Sequence, residues 1–364
     1  MLKHFEELID PRQQWKVKHP LYEVVVMTIC AVVAECEAWF QIFHYCKTKE
    51  NWFRKFAGLQ LEHGIPSHDT FQRVFQLLDP KELQKHFSMW IDSARANLCP
   101  EEFINIDGKT VCGSRDDNMK TIHMVNAWAN RNNLVLGQIK TDEKSNEITA
   151  IPELLDMVDV KNCVVTIDAM GCQKKISEKI IGKGADYVLA LKGNQPELHD
   201  LAKDYFKEIG TEVQSTTTEE KNRGRIEHRS YYLCTDIEWL GTKGWSSLNG
   251  LGMVVSHIET KDKITTERRY YITSLKEVVK FSSAVRSHWG VESMHWMLDV
   301  GFNEDRCRTR KDNSGENFAV IRQIALNLLK QDKTSKMSLR LKRHRCAYDD
   351  DYLQQILFSN KLTA

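Results

Sequence analysis

Apolar side chains recur at helical spacing in the N-terminal part of the chain. The clearest set follows Pro20 and consists of Leu21, Val24, Val25, Thr28, Ile29 and Val32. Side chains at these intervals share one face of a helix, and proline is favoured at a helix start. We therefore predict a small all-α domain over residues 1–97.

A second apolar face follows Gly64-Ile65-Pro66, a segment that predicts a break between helices. It consists of Phe71, Val74, Phe75 and Leu78, with Ser67 as the predicted N-cap and Gln72 and Arg73 on the outside. Helix, short turn and helix in this order fit a helix-turn-helix that binds DNA. An ordinary helical hairpin explains the pattern equally well.

The pattern changes after Leu98-Cys99-Pro100, where short apolar runs alternate with helical ones. Strands are predicted at residues 103–106, 123–130, 134–141, 164–167 and 187–191, with helices at 149–158 and 172–181. Thr149 is the predicted cap of the first of these helices. The order β-β-β-α-β-α-β fits an α/β fold with a mixed sheet and helices on its faces.

Residues 195–280 interrupt this alternation. We predict a helix over 196–209, a polar run over 215–225, and strands at 229–233, 252–259 and 269–275, the last two as a hairpin. Long helices follow at 284–300 and 313–330, the latter opened by a capping box of Asn313 and Glu316. The sequence therefore predicts a domain over residues 98–332 with a β-rich insertion, and a basic then acidic tail over 333–364.

Composition narrows the class of protein. The chain has 364 residues, 41% of them hydrophobic, and a net charge of +1, so any nucleic-acid surface must come from local clusters of cations. Its ten cysteines include no C-x-x-C pair, which indicates free thiols rather than a zinc ribbon or a disulfide framework. No transmembrane segment or signal peptide is recognisable, and we expect a cytoplasmic protein.

Two predicted strands each deliver one carboxylate at their carboxyl end. FINID ends on Asp107, and VVTID ends on Asp168. Strand ends at this edge of an α/β sheet are where functional groups gather. Two carboxylates held close together repel each other, and Mg²⁺ would remove that cost. The pair therefore predicts a magnesium site.

A third acid is expected on the helix in RSHWGVESMHWMLDV. His288, Glu292, His295 and Asp299 share one face of that helix. An adjacent apolar stripe of Val285, Trp289, Trp296 and Val300 is predicted to bury against the sheet. Glu292 is then the candidate third ligand. A surface helix with solvated acids remains an alternative on periodicity alone.

These segments resemble a known family. INIDGKTVCGS, HMVNAW, VVTIDAMGCQ, GADYVLALKGNQ and HWGVESMHWMLDVGFNEDRCRTR are similar to blocks of the DDE transposases of bacterial insertion sequences, specifically the H-repeat-associated group. The resemblance covers about residues 8–330. It implies a ribonuclease-H-like catalytic domain in which Asp107, Asp168 and Glu292 bind two Mg²⁺ ions, for which Mn²⁺ substitutes.

The resemblance also implies a reaction and its partners. The expected chemistry is phosphoryl transfer on double-stranded DNA, with cleavage at the element ends and joining to a target. The enzyme is expected to act as a homodimer or larger assembly on paired ends, in the cytoplasm and associated with the nucleoid.

The sequence departs from the wider family around the third acid. A tyrosine, an arginine and a lysine are usual seven and four residues before that acid and seven residues after it. Val285, His288 and Asp299 occupy these positions here. His288 could still contact a phosphate if it were protonated, whereas Asp299 reverses the expected charge.

Clustered polar and basic residues are the predicted DNA contacts. They are Lys144, Lys192, Asn194, Gln195, Arg223, Arg225, Arg229, His288, Arg306, Arg308, Arg310, Lys311 and the basic run over residues 330–345. Contacts of this kind bind phosphate irrespective of base sequence. Two alternatives to an active transposase stay open: a catalytically silent remnant that binds DNA, and a ribonuclease-H-like nuclease that does not join strands.

Overall fold

The structure is a computed structural model of the chain. It describes residues 2–95, 101–111, 121–141, 146–208, 213–222, 225–240, 244–260 and 263–358. The predicted boundary Leu98-Cys99-Pro100 lies outside these residues, as do Lys144 and Arg223.

The N-terminal part is helical, as predicted. Its helices are α1 (Leu2–Glu6), α2 (Leu21–Val33), α3 (Trp39–Thr48), α4 (Glu50–Phe56), α5 (His68–Leu77) and α6 (Pro80–Arg95). The predicted N-cap is confirmed, since the Ser67 side chain accepts a hydrogen bond from the backbone N–H of Thr70. All four predicted apolar side chains of this region, from Phe71 to Leu78, are buried.

The strands are β1 (Phe103–Val111), β2 (Ile122–Ala129), β3 (Leu134–Thr141), β4 (Val164–Ile167), β5 (Asp186–Leu191), β6 (Gln214–Asn222), β7 (Arg225–Cys234), β8 (Gly250–Glu259) and β9 (Ile264–Thr273). The further helices are α7 (Glu147–Met157), α8 (Lys174–Gly182), α9 (Pro196–Glu208), α10 (Val278–Trp296), α11 (Ser314–Gln331), α12 (Leu339–Tyr348) and α13 (Asp350–Phe358). A π-helical turn, Met297–Gly301, continues directly from α10. The predicted order β-β-β-α-β-α-β and the β-rich insertion are confirmed.

The sheet is mixed. Its strand order among the described residues is β3-β2-β1-β4-β5-β9-β8-β7-β6. Strands β1, β4 and β5 run parallel to one another, while β5, β9, β8, β7 and β6 pair antiparallel in succession. Functional groups at the carboxyl ends of β1 and β4 therefore point to one edge.

The chain divides into two compact units. Unit 1 contains residues 1–100, 108–146 and 292–364, and unit 2 contains residues 101–107 and 147–291. The chain passes from unit 2 to unit 1 within β1 and again within α10.

Helix α11 forms the centre of unit 1. It is buried over nearly its whole length, including polar side chains that bind backbone groups of neighbouring elements. Asn317 donates to the carbonyl oxygens of Phe75 and Leu78, and Asn327 donates to that of Val135. A helix that is buried all round needs such bonds, because an unpaired polar group away from water is costly.

Unit 2 is built on a core between its sheet and α10. Phe281, Ala284 and Val285 of this helix belong to one buried cluster with Phe103 of β1 and Val164 of β4. Cluster members from β7, β8 and β9 extend the same core into the insertion. The helix that carries the predicted third acid is thus anchored on the strands that carry the other two.

Four local predictions are corrected. Thr149 lies inside α7, which begins at Glu147. Asn313 makes no side-chain cap, because its amide donates instead to the carbonyl oxygen of Leu78. The polar run over 215–225 contains β6, an edge strand whose mostly exposed side chains hide its periodicity. The segment predicted as a tail forms α12 and α13, whose side chains Tyr352, Leu353, Ile356 and Leu357 are buried.

Candidate active site

Adjacent strands bring two predicted acids together, although β1 continues to Val111 and does not end at Asp107 as predicted, whereas Asp168 directly follows the end of β4. The strands are parallel neighbours, and their last registered pair is Ile106 with Ile167. Asp107 and Asp168 each follow directly, so they occupy equivalent positions on adjacent strands, which lie about 4.8 Å apart. The proximity that the sequence required of these strands is confirmed.

A tight turn fixes the Asp168 carboxylate. Its Oδ1 accepts hydrogen bonds from the backbone N–H of Met170 at 3.0 Å and of Gly171 at 3.4 Å. A Cβ on Gly171 would lie 2.2 Å from Cγ2 of Ile167, which no real contact permits. The Asp-Ala-Met-Gly sequence therefore serves to end the strand in a turn that orients this acid.

The environment of Asp168 disfavours its charge. Burial is the largest cause and the nearby carboxylate of Glu147 the second; together they raise the pKa of Asp168, against the two backbone bonds and Lys192, which lower it. Glu147 is itself buried, at the start of α7. Sequence reasoning missed this acid, since nothing in SNEITA distinguishes it from an ordinary residue of the first helical turn.

The loop after β5 is attached to the Asp168 turn. The side-chain amide of Asn194 donates to the carbonyl oxygen of Ala169, and that of Gln195 donates to Cys172 at 3.0 Å. Lys192 is exposed and close enough to lower the pKa of Asp168. These three residues lie where the sequence placed them, beside the strand-end edge.

Buried hydrogen bonds join α10 to both strands two residues before their acids. The Asn105 amide donates to Oγ1 of Thr166 at 2.7 Å and to Oγ of Ser287 at 3.0 Å. Thr166 Oγ1 lies 2.8 Å from Nδ1 of His288. Side chains two residues apart on a strand share a face, so α10 covers the face from which Asp107 and Asp168 project.

His288 is not the cationic contact that the sequence allowed for. Burial, reinforced by the positive charge of Arg269, lowers the pKa of His288 to about 4. The imidazole is therefore neutral near pH 7, and its hydrogen bond to Thr166 gives it a role in holding α10 on the sheet.

The apolar stripe predicted on this helix is only partly correct. Val285 is buried and Trp289 half-buried, but Trp296 is 63% exposed and Val300 is 53% exposed. The buried face of the helix runs instead through Val291, Met294 and Leu298. Glu292 is exposed on the helix.

Two of the basic clusters are partly structural. Arg229 is 4% exposed, pairs with Glu227 at 2.5 Å and Glu220 at 3.2 Å, and packs 4.5 Å over the Trp289 ring. It is thus not available to DNA, contrary to the prediction. Arg225 is exposed and pairs with Glu227 at 2.9 Å.

The C-terminal basic run is also used internally. Lys342 pairs with Asp332 at 3.0 Å, and Arg343 donates to the carbonyl oxygens of Val32 and Gly301 and to Glu37. Both cations are buried, which corrects their prediction as a DNA surface. Arg306, Arg308, Arg310 and Lys311 are exposed.

A buried ionic cluster follows Asp107 along β1. Lys109 is 7% exposed and pairs with Asp299 and Glu304. Arg322 of α11 lies 3.7 Å from the second Glu304 oxygen. Asp299, which stands where the wider family usually has a lysine, thus pairs with Lys109 of the IDGKT segment. Sequence reasoning missed Lys109, although it lies two residues after Asp107.

No set of three or more His, Cys, Asp or Glu side chains in the described ranges stands close enough to hold a metal ion together. Every cysteine that the structure describes is a free thiol, as expected, and all but Cys307 are buried. Within the described helices, none has the length and apolar character needed to cross a bilayer.

Comparison with known proteins agrees with these observations. A family described as "Transposase DDE domain" matches residues 89–328, and one described as "DDE_Tnp_1-associated" matches residues 2–91. The chain is 39% identical to YhhI of Escherichia coli K12, over all of this chain and 99% of that one. It is also 39% identical to YncI of Escherichia coli O157:H7, over 99% of this chain and 94% of that one. Both relatives are named as putative transposases, YhhI as an H repeat-associated one.

One solved structure aligns more weakly. It is the piggyBac transposase synaptic complex with hairpin DNA, at a TM-score of 0.47 and 10% identity, over 97% of this chain and 78% of that one. A likeness at this level does not define a shared fold.

Proposed function

Because the chain belongs to the DDE transposase family, we propose that Asp107, Asp168 and Glu292 form the site at which it cleaves and joins DNA. The observation that carries the proposal is the parallel register of β1 and β4, which sets Asp107 beside Asp168. The strand order β3-β2-β1-β4-β5, with β1 parallel to β4, supports a ribonuclease-H-like catalytic domain.

The path of α10 supports the third acid. Ala284 shares a buried cluster with Phe103, and His288 bonds to Thr166, two residues beyond Val164 of the same cluster. Four helical residues advance about 6 Å, and two strand residues advance about 6.6 Å. Four residues of α10 therefore cover nearly the same distance as two residues of the strands beneath it. Glu292 follows His288 by four residues, about one helical turn, where α10 passes from unit 2 to unit 1.

Carboxylates are the side chains that divalent cations prefer, and DDE transposases generally use such cations. Carboxylate oxygens suit Mg²⁺, and the raised pKa of Asp168 reflects a buried charge that a cation would neutralise. We propose that the three acids hold two Mg²⁺ ions, with Mn²⁺ as a substitute. When bound, such ions activate an attacking oxygen and stabilise the leaving one.

The chain's own residues prepare this site. The amides of Met170 and Gly171 bind Oδ1 of Asp168, and no hydrogen bond within the described residues reaches its Oδ2. That oxygen is left for an ion. In the proposed reaction, water attacks a phosphorus atom and the bond to the 3′ oxygen breaks, which leaves a 5′-phosphate and a 3′-hydroxyl. That hydroxyl then attacks a phosphorus atom of target DNA and displaces the 3′ oxygen of the target strand.

The remaining parts of the proposal concern DNA and assembly. Lys192, Asn194 and Gln195, with Arg225, Arg306, Arg308 and Arg310, are the proposed phosphate contacts. Residues 1–97 would bind the element ends, and residues 98–332 would form the catalytic domain, followed by the segment over residues 333–364. We propose a homodimer or larger assembly acting on double-stranded DNA in the cytoplasm, at the nucleoid.

The test is cleavage of DNA that carries the ends flanking this open reading frame, with Mg²⁺ or Mn²⁺. The parent protein should cleave, and Asp168→Asn should not. Asp156→Asn is the matched control, since Asp156 is an exposed acid of the same unit paired with Lys179 at 2.5 Å. Equal cleavage by parent and Asp168→Asn would refute the assignment.

The products distinguish the two alternatives. A joined strand-transfer product supports a transposase, and cleavage without joining supports a nuclease. Binding to the ends without cleavage by the parent protein supports a silent remnant.

A further inference from the structure

One cysteine of unit 1 differs from the other described cysteines in its exposure. Cys307 is half-buried, whereas every other described cysteine is buried. Burial raises the pKa of Cys36, Cys172 and Cys346 to about 12. Those thiols stay protonated and inert, because the thiolate is the form that reacts. Among the described cysteines, Cys307 is therefore the one that a reagent in solution can reach.

A short 3₁₀ turn, Glu304–Arg306, sets the direction of the Cys307 side chain. Cys307 ends this turn, and its backbone N–H donates to the carbonyl oxygen of Glu304 at 3.1 Å. Side chains three residues apart in a 3₁₀ turn lie above one another. Cys307 therefore shares a face with Glu304, whose Oε1 lies 3.7 Å from Nη1 of Arg322. The turn directs the thiol towards this guanidinium.

Arg322 is a buried cation with hydrogen-bond donors to spare. It is 2% exposed and packs 4.4 Å over the Phe318 ring. Its Nε and Nη2 have no hydrogen-bond partner within the described residues. Its acidic partner, Glu304, is shared with Lys109. Buried donors of a cation that stay unpaired cost stability, and an anion beside them would remove that cost.

A thiolate at Cys307 supplies this anion. Burial is the largest influence and raises the pKa of Cys307, but the charge of Arg322 and hydrogen bonds from Thr309 and Arg322 outweigh it, so that the pKa lies below its ordinary value. A neutral thiol accepts hydrogen bonds only weakly, so these bonds favour the thiolate. The neighbours Arg306 and Arg308 are exposed cations. Reactive cysteines occur in such electropositive and partly exposed surroundings.

We propose that Cys307 is a site of oxidative modification, at which hydrogen peroxide converts the thiolate to a sulfenate held by Arg322. A lone pair of Sγ attacks one peroxide oxygen, an S–O bond forms and the O–O bond breaks. The sulfur is oxidised, and the peroxide is reduced to an S–OH group and hydroxide. Hydroxide takes the proton of that group, which leaves the sulfenate and water. The sulfenate keeps the negative charge beside Arg322 and gains an oxygen that accepts from the unpaired N–H groups.

This modification is separate from the proposed reaction on DNA and does not depend on it. Its test compares the full-length protein when folded and when unfolded in guanidinium. Alkylation of Cys307 by iodoacetamide, followed by peptide mapping, should reach half its maximal rate at a lower pH in the folded protein than in the unfolded one. After peroxide treatment of the folded protein, dimedone, which reacts with sulfenic acids, should label Cys307 and spare the described buried cysteines.

Two variants test the role of Arg322. Arg322→Gln should shift the pH of half-maximal alkylation to that of the unfolded chain and abolish the dimedone adduct. Arg54→Gln is the matched control, since Arg54 is an exposed arginine of unit 1 that also pairs with a glutamate, Glu50 at 3.0 Å. Its alkylation and labelling should equal those of the parent.

If Arg322→Gln does not fold, Thr309→Val takes its place. It removes one hydroxyl donor beside the thiolate and should shift the pH of half-maximal alkylation in the same direction by a smaller amount. An alkylation midpoint in the folded parent equal to or above that of the unfolded chain would overturn the inference. So would the absence of a dimedone adduct at Cys307 after peroxide treatment.

Discussion

Two groups of acids in this chain are held in different ways by the fold. On the adjacent strands β1 and β4, Asp107 and Asp168 occupy equivalent positions, and Glu147 adds negative charge near Asp168. In the cluster after β1, Asp299 and Glu304 are matched by Lys109 and Arg322. Burial and the charge of Glu147 raise the pKa of Asp168, and acids with perturbed pKa values cluster at functional sites. The first group is thus the candidate site and the second its support.

The largest effect should separate Glu292 from Glu304. Glu292→Gln is expected to lower the rate of DNA cleavage by about three orders of magnitude or more, because a metal site fails as a unit. Its Tm should be unchanged, since Glu292 is exposed. Glu304→Gln should do the reverse and lower Tm, because this 2% exposed acid pairs with Lys109. If Glu292→Gln and Glu304→Gln changed Tm and the cleavage rate equally, the distinction between a site acid and a supporting acid would be wrong.

Removing the cation of the supporting cluster is the next strongest change. Lys109→Met leaves Asp299 and Glu304 without their partner, and we expect it to cost about 3–5 kcal/mol in the free energy of unfolding. Chemical denaturation followed by fluorescence measures this cost. Lys85→Met is the control, since Lys85 is exposed and makes only a long pair of 3.8 Å with Glu82. A cost below about 1 kcal/mol, as for a surface pair, would contradict the account.

The junction between α10 and the strands gives an intermediate effect. Thr166→Val preserves shape but removes the hydroxyl that Asn105 and His288 both contact. Leaving buried polar groups unpaired costs about 1–3 kcal/mol. Cleavage should fall as well, because α10 carries Glu292. Thr217→Val on the exposed face of β6 should leave both quantities unchanged. Normal stability in Thr166→Val would show that this junction does not hold the helix.

The smallest predicted effect is the pH response of His288. Its folded pKa, about 4, lies below the ordinary value of 6.5, so the unfolded chain binds a proton first as the pH falls. Stability from this residue is present above pH 6.5 and lost as the pH decreases towards 4. The Tm of the parent should therefore decrease more over this window than that of His288→Gln. Identical pH profiles would mean that His288 titrates normally.

The helical N-terminal part, the order of strands and helices along the chain and the pair Asp107 and Asp168 could be predicted from sequence, and for a common reason. Apolar periodicity indicates which side chains are buried. VVTID and FINID each contain an apolar segment that predicts a strand, followed by an aspartate. Side chains whose partners are distant in sequence could not be predicted in this way. Arg229, Lys342 and Arg343 read as surface cations, yet each is buried against an acid or carbonyl of another segment.

Local irregularity explains the other failures. The apolar stripe predicted on α10 misses the buried face at its C-terminal end, where Met294 and Leu298 are buried while Trp296 and Val300 are exposed. Strand β6 could not be recognised in the sequence because it lies at the edge of the sheet. Its side chains are mostly exposed, so apolar and polar residues need not alternate along it. Glu147 carries no signal at all in the sequence, since its importance comes only from lying near Asp168 in the fold.

The central claim is that Asp107 and Asp168 hold divalent ions together with Glu292. Titration of the DNA-free protein with Mn²⁺, followed by the loss of the free-ion electron paramagnetic resonance signal, tests it most directly. The account predicts saturable binding by the parent that is lost in Asp168→Asn and retained in Asp156→Asn, with Tm of the parent rising as Mn²⁺ is added. Equal Mn²⁺ binding by the parent and Asp168→Asn would contradict it.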